Sequence, residues 1–175
     1  MMQQARRDQI SRLAETVRAT CDLTTPVDVE LAVRRLRGEI DRVDDAEIEA
    51  KIEKRGDGFR ITLANDVHEN RRRFSVAHEL GHLFLHMGYL IDKDRWSQVG
   101  TYVDSVYYRY GFNIEEYEAN EFAGAFLMPR AEFVQVANRH RSGDTYQIGP
   151  IAEHFKVSAD AAKIRGRWLG LFSWD

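Results

Sequence analysis

Cysteine occurs once in this chain, at Cys21, and that scarcity excludes two chemistries. No disulfide can form within the chain, and zinc sites built from several thiolates are ruled out. A reducing setting is the default for such a protein, and a cytoplasmic location is expected. Long apolar runs are missing as well. The most apolar stretch, Leu83 to Ile91, is far too short to cross a bilayer and contains His86. The opening residues MMQQARRDQISRL lack the apolar core of a secretory signal. Charge of one sign is also scarce: a net charge of −3 gives no whole-chain attraction to nucleic acid or to an anionic membrane.

What is present is the material for a core. At 175 residues and 43% hydrophobic content, the chain suits one domain carrying at most a small helical appendage. Residues 4–20 place Ile10, Leu13, Ala14 and Val17 at helical spacing. Thr24-Thr25-Pro26 reads as a cap and first-turn proline for a second helix, carrying Val29, Ala32, Val33 and Leu36 and ended by Gly38. Ile48, Ala50 and Ile52 alternate with charges, as Phe59, Ile61 and Leu63 do with more polar residues. Gly56-Asp57-Gly58 lies between them, which predicts a β-hairpin, with residues 39–43 available as a third strand. Asn65 to Arg73 reads as polar loop, its triple arginine as solvated surface.

From Phe74 to Ile91 the only formally charged side chain is Glu79, so a helix here runs through the core. Residues 88–113 form a long aromatic-rich connection. Further helices are expected from Ile114 to Leu127, from Pro129 to Asn138, and as a short pair between Tyr146 and Trp168.

The chemistry concentrates at His78-Glu79-Leu80-Gly81-His82. Histidines four apart on a helix share one face, separated by about 6 Å of rise, and can converge on one tetrahedral zinc. Glu79 then stands beside the metal as general base. The plain alternative is a buried Glu–His pair that serves only packing; but a carboxylate in a core helix is costly unless paired, hydrogen-bonded or near a metal. His86 lies about 12 Å along the helix from His78, too far to share an ion with it, so it is expected beside the ligands or at the helix end. A three-histidine version of the motif needs a histidine at position 88, where the chain has Gly88. The third ligand is therefore expected on the next helix. Glu116 and Asn120 share a face there, and the small residues Ala119 and Ala123 permit close approach. Glu116 is the expected ligand, and Asn120 the residue that orients a ligand histidine. Glu118 and Glu121 fall on the opposite side, where solvent is expected.

These residues resemble the ImmA/IrrE family of metallopeptidases. The resemblance runs through Arg72 to His82, Leu85-His86, the string from Glu116 to Ala123, and Phe126-Leu127-Met128-Pro129. It continues from Ile151 to Ser158, with Arg165 and Leu169-Gly170-Leu171. It implies an α+β, zincin-like core with a small β-sheet packed on the H-E-x-x-H helix, and a C-terminal helix-turn-helix-like pair. It also implies one zinc ion on His78, His82 and Glu116, with Glu79 as the base. The partner it implies is a helix-turn-helix transcriptional repressor, cleaved or inactivated in mobile-element or stress-response regulation. The expected organisation is an N-terminal helix at 1–25, a peptidase core at 26–140 and a helical segment at 141–175. No oxyanion donor is assignable; His140 and the tyrosines of 102–110 are candidates.

Two rivals come from other classes. The 147–169 pair, with Lys163, Arg165 and Arg167, has the spacing of a DNA reader, but its basic footprint is thin and packing against the core is expected instead. A zinc-containing regulator that titrates a repressor without cutting it needs the same residues as the enzyme. A deformylase-like hydrolase needs a cysteine ligand, and Cys21 lies well before the motif.

Overall fold

The computed structural model describes residues 3–44, 49–99 and 114–174. Helix α1 (Gln4–Thr20) leads to α2 (Val29–Arg35) and strands β1 (Gly38–Val43), β2 (Ala50–Arg55) and β3 (Gly58–Ala64). Then come α3 (Glu69–Leu85), α4 (Lys93–Gln98), α5 (Ile114–Leu127) and α6 (Arg130–Arg139). A minimal hairpin, β4 (Arg141–Ser142) and β5 (Thr145–Tyr146), precedes α7 (Ile148–Phe155) and α8 (Ala159–Trp168). The architecture is α+β, as expected.

The three-stranded sheet has the order β1-β3-β2, with β1 parallel and β2 antiparallel to β3. Alternation decides its buried face: Ile61 pairs with Ile40 on one side and Ile52 on the other, and Phe59, Ile61 and Leu63 are all buried. Residue 48, read as strand, lies outside the described residues. Gly58 permits the tight entry into β3, since a Cβ there would stand 2.2 Å from the Arg37 carbonyl oxygen.

Helices α3 and α5 form the centre, and their side chains join one core with Ile10 and Ala14 of α1 and Ile151, Phe155 and Ala162 of α7 and α8. Gly81 allows the close approach: a Cβ there would lie 2.9 Å from Ala119 Cα and 3.0 Å from its carbonyl oxygen. Phe84, Phe122 and Phe126 stack beside it, with centroids 5.8 Å apart at each step. Helix propensity alone favours alanine over glycine by about 1 kcal/mol. A net loss from Gly81→Ala therefore reads out the collision, and about 1–2 kcal/mol is expected in urea denaturation. An unchanged midpoint would mean that the two helices have room to spare.

Four local expectations are corrected. The second helix starts at Val29 rather than Pro26, because Asp28 supplies the cap by accepting from Leu31 N at 2.8 Å. Thr25 is engaged elsewhere, donating to Glu132 and accepting from Arg18. Gly38 opens β1 instead of ending that helix, which stops at a Leu36 cap followed by Arg37 at φ +63°. Helix α3 begins at Glu69, inside the stretch read as loop. Its first turn is polar, so apolar periodicity gave no sign of it. The arginines there are not all solvated. Arg73 donates to the carbonyls of Val27, Phe155 and Lys156, and Arg71 forks onto Glu49.

Candidate metal centre

Helix α3 is buried on nearly every side after its first turn, and it carries His78, Glu79 and His82 into the core. Across from it on α5, Asn120 meets His78, and Glu116 meets both His78 and His82. The Nε2 atoms of His78 and His82 stand 3.0 Å apart. Glu116 places Oε2 at 3.3 Å from the first and Oε1 at 3.2 Å from the second. These three residues are the metal-capable group of histidine, cysteine and acidic side chains found among the described residues.

The donor set fits a zinc ion. Bonds of about 2.0–2.1 Å in tetrahedral geometry set ligand atoms about 3.3 Å from one another. The observed separations of 3.0, 3.2 and 3.3 Å are close to that edge length. Two imidazoles and a carboxylate are also the ligand types that zinc accepts readily. The Glu116 carboxyl is held well below the usual carboxylate range, first by hydrogen bonding with His78 and then with His82, so it is present as the anion a cation requires. His82 is fully buried, whereas the side chains of His78 and Glu116 remain 14% and 23% exposed, so the group opens to solvent on their side.

The far sides of both rings are held. His78 Nδ1 lies 3.0 Å from Asn120 Oδ1, an oxygen that only accepts, so Nδ1 carries a proton there. His82 Nδ1 lies 2.9 Å from His86 Nδ1, and His86 Nε2 lies 3.3 Å from Glu118 Oε2. His86 is thus both the cap residue of α3 and the support of the His82 ring. Burial lowers its pKa, and neighbouring His82 lowers it further, against the pull of Glu118. Glu79 is 1% exposed, next in sequence to a ligand candidate.

The expectation that Glu118 and Glu121 face solvent is overturned. Glu118 is buried and takes a two-toothed contact from Arg6 at 2.7 and 2.8 Å. Glu121 accepts from Ser11 and Arg165, and Arg7 stands 3.9 Å away. The cause is α1, which covers the side of α5 that a helical wheel assigns to water. Arg6, Arg7 and Arg165 were missed because long-range ion pairs leave no local sequence pattern. Cys21 is buried in the core and is no part of the metal-capable group, which leaves a deformylase-like site without its thiolate. His140 caps α6. The tyrosines at 102–110 lie outside the described residues.

A motif helix bearing two imidazoles, a carboxylate from the neighbouring helix and a small sheet alongside define a zincin-like metallopeptidase fold. The IrrE N-terminal-like domain, a peptidase family, matches residues 42–166, and the chain belongs to that family. Among solved structures, a transcriptional regulator from Mycobacterium tuberculosis superposes with a TM-score of 0.62 at 19% identity. The match covers 90% of this chain and 46% of that one, so the chain spans less than half of its length, and the likeness is one of fold. No curated protein matches the chain significantly.

Proposed function

We propose that this protein is a zinc-dependent endopeptidase of the cytoplasm that inactivates a helix-turn-helix repressor by cutting it. The observation that carries the reading is the His78–His82–Glu116 group at tetrahedral spacing beside the buried Glu79. Residues 26–140 form the catalytic core in this reading, with 1–25 and 141–175 packed upon it. When bound, zinc supplies a Lewis acid and brings the pKa of water from about 15.7 toward about 7. His78, His82 and Glu116 hold it; Asn120 and His86 keep the two rings aimed. Glu79 takes a proton from the attacking water and returns it to the departing amine nitrogen, so one carboxylate serves both halves of the reaction. An extended substrate segment can add to the edge of β2, the edge strand that packs against α3.

Two side chains weigh against a DNA reader. Of the three cations on α8, Arg165 is buried against Glu121, and Arg167 donates to the Ser173 carbonyl. Among the described residues no helix is long and apolar enough to cross a membrane. The test is incubation with the product of the adjacent gene, taken as the repressor, read by intact mass. Two fragments whose masses sum to the repressor plus one water are expected, and a metal chelator should abolish them. An intact repressor after prolonged incubation with the zinc-loaded protein would overturn the proposal.

A further inference from the structure

We propose that Arg6, on α1, is a positioning residue for the metal centre, acting through Glu118 and His86 to fix the proton of His82 on Nδ1 and present its bare Nε2 to the cation. The inference rests on the metal-centre reading above and deepens it. A cation at the three-residue group needs the lone pair of His82 Nε2, so the ring proton must sit on Nδ1. That proton is donated to His86 Nδ1 at 2.9 Å, which places the proton of His86 on Nε2, donated in turn to Glu118 at 3.3 Å. The series works only if Glu118, which ends it, accepts and has no proton to give. Arg6 keeps Glu118 in that state by donating from Nε and Nη2 to both of its oxygens at 2.7 and 2.8 Å.

Burial gives the series a direction. His82, His86 and Glu118 have side chains 0%, 7% and 12% exposed, and Arg6 rises to 42%. Water therefore has little access to replace any member before the last. Helix α1 lies outside residues 42–166, so the family's domain has its histidine oriented by a helix that the family match does not include. Ser11 and Arg7 tie α1 to Glu121 independently, so Arg6 can be replaced while α1 keeps other anchors.

The experiment compares the full chain with Arg6→Met, Arg6→Lys and Ser11→Ala. Zinc affinity is read by competition with a chromogenic chelator, and the His82 tautomer by ring 15N chemical shifts in the metal-free protein. Arg6→Met is expected to weaken zinc binding by about 10–100-fold and to shift His82 away from its Nδ1–H form. Arg6→Lys should restore most of both, and Ser11→Ala should alter neither. Wild-type affinity and tautomer in Arg6→Met would overturn the role of Arg6 alone. Losses in Ser11→Ala as large as in Arg6→Met would overturn it too, by showing that only helix docking matters. A parent chain that binds no zinc would overturn the metal-centre reading and this inference together.

Discussion

Replacing Glu79 with glutamine is expected to leave zinc bound as in the parent chain and to slow hydrolysis by about 10²–10⁴-fold. The amide has nearly the shape of the carboxylate but cannot take a proton at neutral pH. Glu79 is 1% exposed, so no solvent base reaches its place to compensate. The proposed ligands His78, His82 and Glu116 keep their own partners in the variant, which separates chemistry from metal loss. The measurement is the rate of repressor fragmentation beside the zinc content of the same sample. Undiminished cleavage in Glu79→Gln would require a different base. Undiminished repressor inactivation without fragments would identify a titrating regulator instead of an enzyme.

The largest loss of stability is expected at Arg165. Its Nε donates to the Met128 carbonyl and its Nη1 to Glu121, both at 3.0 Å, with side chains 3% and 8% exposed. Burial lowers the pKa of this guanidinium, and the Glu121 carboxylate opposes that shift. Arg165→Met strands part of a buried carboxylate and a backbone carbonyl, which costs about 3–5 kcal/mol when one partner of such a pair is removed. For a chain of this size that lowers the melting temperature by roughly 6–20 °C. Adding Glu121→Met should recover part of the loss, because the orphaned charge goes with it. A single variant that melts within a degree or two of the parent would show that α8 is held by its apolar contacts alone.

The sequence was most informative where one helix or one hairpin carried the pattern. Ile10, Ala14 and Val17 marked α1, the Gly56-Asp57-Gly58 turn marked β2 and β3, and the motif placed both histidines on α3. Glu116 was legible because Asn120 and the small residues Ala119 and Ala123 share its helix. What could not be read was the number of neighbours α5 has. A helical wheel distinguishes two faces but does not reveal that α1 covers one of them, so Glu118 and Glu121 were assigned to water. The polar first turn of α3 failed for a related reason: Asn70 and Arg73 bond to carbonyls of residues far along the chain, and no local periodicity encodes that. Strands of two residues, such as β4 and β5, are too short to show alternation.

The third proposed ligand comes from a different helix than the first two, and its approach depends on a bare glycine at the crossing. The proposed cutting activity is therefore tied to the integrity of the α3–α5 junction. In the proposed enzyme, a copy in which α5 had drifted would lose its grip on the ion and fall silent, so damage at this crossing would switch the molecule off rather than leave it partly active.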